Sequence, residues 1–154
     1  MRIVSFNVNG IRARPHQLEA LRDQYDPDII GLQEIKVQDA DFPREMVESL
    51  GYHVEFYGQK AHYGVALLSK KPPIRTIRGL PGDTDDSQKR MISGVYETSL
   101  GNHLTVMNGY YPQGESRKHE TKFPHKRAFY AELSRWLTSD FSPQDNLLVV
   151  GDMN

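Results

Sequence analysis

Five side chains could together do chemistry on a charged substrate. Asn7, Glu34, Asp152 and Asn154 carry oxygen donors, and Tyr110 carries a phenol. Each sits at the end of an apolar run: Ile3-Val4-Ser5-Phe6-Asn7, Ile29-Ile30-Gly31-Leu32-Gln33-Glu34, Leu104-Thr105-Val106-Met107-Asn108-Gly109-Tyr110, and Leu147-Leu148-Val149-Val150-Gly151-Asp152-Met153-Asn154. Any one of these ends is as well explained by the turn preference of Asn and Asp. Four with the same grammar point to neighbouring strands that deliver oxygens into one pocket containing two carboxylates. Such a donor set suits a hard divalent cation, Mg²⁺ or Mn²⁺, held through few carboxylates with water or phosphate completing its shell.

The elements that must position these groups follow from periodicity. Arg2–Phe6, Asp28–Gln33, Tyr52–Tyr57, Val65–Ser69, Ile74–Arg78, Met91–Glu97, His103–Asn108 and the closing run at Leu147 read as strands. The closing run, four apolar residues long, reads as buried on both faces, with Gly151 releasing the backbone from the sheet. Asp152 and Asn154, two apart in an extended segment, would share one side. Pro15 opens a helix that ends at Asp26-Pro27, Phe42–Leu50 reads as a second helix, and Phe129, Leu133, Trp136 and Leu137 mark one face of a third. Hairpins mixed with helix-linked crossovers predict an α/β fold with mixed sheets.

Composition narrows the field. The 154 residues contain no cysteine, which excludes disulfides, thiolate metal sites and a cysteine nucleophile. They are enough for one domain, and a formal charge of −1 favours no polyanionic partner in bulk. No Gly-x-Gly-x-x-Gly or Walker-type loop follows a strand, and the histidines show no zinc spacing. Without a signal-like leader or a run of about 18 apolar residues, a soluble cytoplasmic protein is expected. Arg12 and Arg14, Lys89 and Arg90, and the basic 112–127 segment could grip a polyanion flanking the cation; they equally suit a solvated face. Tyr110 and Tyr111 could stack or donate hydrogen bonds there.

In order along the chain, Ser5-Phe6-Asn7-Val8-Asn9-Gly10-Ile11-Arg12-Ala13, Leu32-Gln33-Glu34-Ile35-Lys36, His62-Tyr63-Gly64-Val65-Ala66-Leu67-Leu68, Asn108-Gly109-Tyr110-Tyr111-Pro112-Gln113-Gly114 and Gly151-Asp152-Met153-Asn154 resemble the exonuclease III-type AP endonucleases. These belong to the endonuclease/exonuclease/phosphatase superfamily. The resemblance implies a four-layered α/β sandwich of two mixed sheets between helices. It implies Mg²⁺-dependent phosphodiester hydrolysis on duplex DNA, from 3′ ends and at abasic sites, by a monomer that does not engage membranes. By position, Glu34 would be the principal metal ligand with Asn7 beside it, and Tyr110 would contact the phosphate. Asp152 would serve as acid/base or ligand, and Asn154 would ligate or stabilise the pentacovalent phosphorus. Asn9, Lys36, Arg90 and Gln113 would either contact DNA or support the residues that do the chemistry.

The family's Ser-Asp-His signature is missing. The chain therefore resembles the first half, or slightly more, of one such domain. A fragment of that kind is expected to be inactive alone, marginally stable, and to leave an inner sheet face uncovered. The alternatives are a phosphatase of the same superfamily and a non-catalytic DNA-binding fragment.

Overall fold

The computed structural model describes all residues 1–154. Eight strands form in chain order: β1 (Ile3–Asn7), β2 (Ile29–Gln33), β3 (His53–Tyr57), β4 (Val65–Ser69), β5 (Arg75–Arg78), β6 (Met91–Glu97), β7 (His103–Tyr110) and β8 (Leu147–Asp152). Three helices interrupt them: α1 (Pro15–Tyr25), α2 (Arg44–Ser49) and α3 (Lys122–Asp140). Pro15 starts α1, whose missing N–H would have been unpaired there in any case, and Asp26 closes it in a left-handed conformation. His119 Nδ1 accepts the Lys122 N–H at 3.0 Å, satisfying a free donor at the start of α3.

The strands make two four-stranded sheets, ordered β1-β2-β4-β3 and β5-β6-β7-β8. Within each, one pair is parallel, β1 with β2 and β7 with β8, and the others are antiparallel. Alternation along each strand sorts the side chains into three apolar layers. Ile30, Leu32, Val54, Ala66 and Leu68 pack outward with Leu18 of α1 and Val47 of α2. Ile29, Val65, Leu67, Ile92, Tyr96 and Val106 fill the space between the sheets. Met91, Met107 and Tyr111 meet Phe129, Leu133 and Trp136 of α3. Helix, sheet, sheet, helix is the four-layered sandwich, and each fully buried Leu, Ile or Phe contributes about 1.5–3 kcal/mol.

Three expectations are corrected. The inner sheet faces are not left open, because the two sheets cover each other and Val65, Leu67, Ile92 and Val106 are fully buried. The closing strand is half-buried along its length because β8 is an edge strand with a single neighbour. Nor does Gly151 release the backbone: pairing continues through Gly109–Gly151 to Tyr110–Asp152. A Cβ at Gly151 would lie 2.0 Å from the Gly109 carbonyl oxygen, so glycine is needed there for close approach of two strands.

Candidate active site

Strand phase decides which side chains meet. Ile3, Ile29, Val106 and Val150 point between the sheets. Residues an even number of positions further along share that face, so Asn7, Gln33, Asn108, Tyr110 and Asp152 all point inward at the carboxyl ends of β1, β2, β7 and β8. Because β1–β2 and β7–β8 are parallel pairs, those ends lie at the same mouth of the sandwich.

At the centre is the Asn7 amide. Its Nδ2 donates to Glu34 Oε1 and to Asp152 Oδ2, each at 2.8 Å, joining positions 145 residues apart in sequence. The two carboxylate oxygens therefore lie within twice that distance of one another. Asn7 Oδ1 accepts the Asn9 backbone N–H at 3.0 Å. Lys36 Nζ lies 2.9 Å from Glu34 Oε2 and also donates to Asn9 Oδ1. Glu34 follows β2 in the left-handed region at φ 52°, and Asn9, Lys36 and Tyr63 nearby share that conformation. Backbone held there in non-glycine residues gathers at functional sites.

Electrostatics set the protonation states. Burial works to raise the Glu34 pKa, but hydrogen bonds from Asn7 and Lys36, with the Tyr110 hydroxyl close by, outweigh it and hold the carboxyl below its usual range. Burial, then the Glu34 charge, push the Tyr110 phenol up to about 12, so it is a neutral donor near pH 7. Two carboxylates at a partly open mouth, that of Glu34 stabilised in its charged form, make an oxygen-only donor set. It fits a hard divalent cation that keeps several waters. No group of three or more His, Cys, Asp or Glu converges in the structure, so protein carboxylates alone do not complete a shell.

The remaining candidates divide. Asn9 and Lys36 are drawn into the Glu34 network. Arg90 is 8% exposed. Its guanidinium lies between the rings of Tyr63 and Tyr110, 4.2 and 4.9 Å from their centroids. It donates to Gln88 Oε1 at 2.6 Å and to the Tyr110 carbonyl at 3.0 Å, bracing the tyrosine that faces Glu34. Gln113 lines an adjoining groove of about 450 Å³ with Tyr63, Arg90, Lys122 and His125. Asn154 does not continue the extended run. At φ 50° it turns back, its N–H donating to Asp152 Oδ1 at 3.2 Å and its Nδ2 to the Tyr111 carbonyl at 3.0 Å. Tyr111 is a core residue, edge-on to Phe129, and does not reach the mouth. Tyr63 stands in the His62–Leu68 motif but had no role assigned to it, and nothing local marks Gln88 of a loop or His125 of α3, which the fold brings to a distant strand end.

A four-layered sandwich with paired carboxylates, a phenol and a basic groove at one mouth defines a class of protein suited to phosphate chemistry. The chain belongs to the Endonuclease/Exonuclease/phosphatase family, whose sequence profile matches residues 4–154. It is 58% identical over all 154 residues to exodeoxyribonuclease III of Haemophilus influenzae, covering 57% of that protein. Among solved structures it resembles an AP endonuclease from Archaeoglobus fulgidus, with TM-score 0.87, 32% identity, and 99% of this chain and 57% of that one covered. It also resembles the 3′ phosphatase NExo from Neisseria bound to product DNA hairpin, with TM-score 0.87, 31% identity, and 98% and 56% covered. The chain thus spans little more than half the length of these relatives.

Proposed function

We propose that this chain is the N-terminal part of a Mg²⁺-dependent nuclease that hydrolyses phosphodiesters of duplex DNA, at 3′ ends and beside abasic sites. The observation that carries this reading is the Asn7 amide joining Glu34 of one sheet to Asp152 of the other. It sits beside a neutral phenol and a basic groove, and the named relatives act on such DNA ends and sites.

Glu34 and Asp152 would hold the cation, with the amides of Asn7 and Asn154 beside them as further candidate donors. Mn²⁺ is the natural substitute. When bound, the ion supplies positive charge against the equatorial phosphate oxygens as attack proceeds. Asp152 would serve either as that ligand or as the base that orients a water and takes its proton, as the water oxygen bonds to phosphorus and the P–O bond to the leaving strand breaks. The Tyr110 hydroxyl donates to a phosphate oxygen, and its raised pKa keeps that proton in place. Lys36 offsets charge at Glu34. Arg90 fixes the Tyr110 ring. Gln113 and Lys122 line the path of the flanking strand.

The isolated chain should be nearly inactive and a monomer working in the cytoplasm when completed. The test compares an abasic duplex incubated with the 154-residue chain and with a form extended to the length of its relatives. Nicking by the extended form, dependent on Mg²⁺ and lost in Glu34→Gln, is expected. Failure of the extended form to nick with Mg²⁺ refutes the reading; strong nicking by the chain alone refutes its incompleteness.

A further inference from the structure

Directly beneath the site, the inter-sheet core carries an amide pair that the mechanism does not use. Asn108 of β7 is fully buried and Gln33 of β2 nearly so. Gln33 Nε2 donates to Asn108 Oδ1 at 2.6 Å and to the Gly31 carbonyl at 3.0 Å, with Ser5 Oγ of β1 at 3.2 Å. Asn108 Nδ2 donates both hydrogens across the sandwich, to the Leu32 carbonyl at 2.9 Å and the Ala66 carbonyl at 3.0 Å. Both amide nitrogens are thus satisfied. Elsewhere in the core the hydroxyls of Ser69, Ser93, Tyr96 and Tyr111 lie without partners.

Room for this arrangement is built into the opposing sheet. A Cβ at Gly31 would lie 2.8 Å from Asn108 Oδ1, so only glycine admits the amide. The pair reaches β1 through Ser5, β2 through Gly31 to Gln33, and β4 through Ala66. It reaches β8 through the register of Asn108 with Val150. Asn7, Tyr110 and Asp152 each stand two residues further along these same strands, roughly 6–7 Å away at about 3.3 Å per residue. Glu34 immediately follows Gln33.

We propose that Asn108 and Gln33 are positioning residues: they lock the two sheets in the one mutual placement that brings Glu34, Asp152 and Asn7 together. Apolar packing between smooth sheet faces has no direction and tolerates sliding. Three hydrogen bonds that cross from Asn108 of β7 to Gln33, Leu32 and Ala66 of the opposing sheet do not, and a buried amide that slid would lose its partners at a cost well above that of shifted methyl groups. The activity readout below rests on the nuclease reading; the spectroscopic one does not.

The test uses the protein carrying this chain, with asparagine selectively labelled with ¹⁵N, and the variant Asn108→Leu. Asn108→Ser serves if the leucine variant does not fold. Val54→Ala, which removes core volume in β3 far from the mouth, is the control for lost stability. In the Asn108 variant the Asn7 side-chain amide signals should move and exchange with water faster, while in Val54→Ala they stay put. At saturating Mg²⁺, kcat on an abasic duplex should fall about 10- to 100-fold with KM within about twofold, because a misplacement near 1 Å costs on that order. Asn7 signals no more perturbed than in the control would overturn the proposal, whatever the activity. Absence of metal-dependent cleavage by the unsubstituted protein would refute the nuclease reading alone and leave the Asn7 signals to decide this one.

Discussion

Replacing Arg90 by lysine keeps a cation and removes the planar fork. The guanidinium is stacked between two phenol rings at 4.2 and 4.9 Å and donates to two acceptors at 2.6 and 3.0 Å. A lysine ammonium reaches one of those acceptors and has no face to lay on either ring. Burial already lowers the Arg90 pKa, which an arginine tolerates and a lysine, starting closer to neutrality, tolerates less well. Losing one charge-assisted hydrogen bond costs about 1.5–3 kcal/mol, and losing the stacking about 1 kcal/mol. The expected loss is therefore about 3 kcal/mol, large beside the roughly 5–15 kcal/mol that holds a domain folded. At roughly 2–4 °C per kcal/mol for a domain of this size, Tm falls by about 6–12 °C. Denaturant unfolding of the wild type, Arg90→Lys, Tyr63→Leu and the double variant measures the coupling directly. A coupling of about 1 kcal/mol at unchanged denaturant slope is expected. Stability losses that simply add would refute the claim that Tyr63 and Arg90 brace Tyr110 as a unit.

Gly31→Ala should destabilise by about 1–3 kcal/mol, read from the denaturant midpoint, because the added methyl, in a buried strand, meets Asn108 Oδ1 at 2.8 Å. The pH dependence follows from two opposite shifts. Glu34 is lowered in the folded state, so its contribution to stability is present above its unfolded pKa and lost as pH falls through the folded one; Glu34→Gln should flatten the acid limb of a stability–pH profile. Tyr110 is raised from 10.0 to about 12, so the folded state keeps a proton that the unfolded chain releases across that window. Stability should drop there as pH rises, and less steeply in Tyr110→Phe. Adding Mg²⁺ should raise Tm through binding to the folded state, and Asp152→Asn should abolish most of that rise in a thermal melt.

Much of this protein is local information. Alternation at period two set the strand faces. Pro15 and Asp26-Pro27 bounded α1, and the Val65–Ser69 strand was read to the residue. Polar groups following apolar runs marked Asn7, Glu34, Tyr110 and Asp152, because a chain leaving a buried strand changes composition where it changes environment. Strands β7 and β8 each run two residues past the expected Asn108 and Val150, because pairing continues through Gly109 and Gly151. Only the tertiary structure decided that β1 and β8 face each other, so that one amide spans 145 residues of sequence to join two carboxylates. The same packing sent Tyr111 into the core and Tyr110 to the mouth, and folded Arg90 between rings from two different segments. It also set Asn108 against a glycine in the other sheet. The physical reason is distance along the chain: strand phase is fixed by neighbours, whereas which strand ends share a mouth depends on sheet order and on how two faces pack.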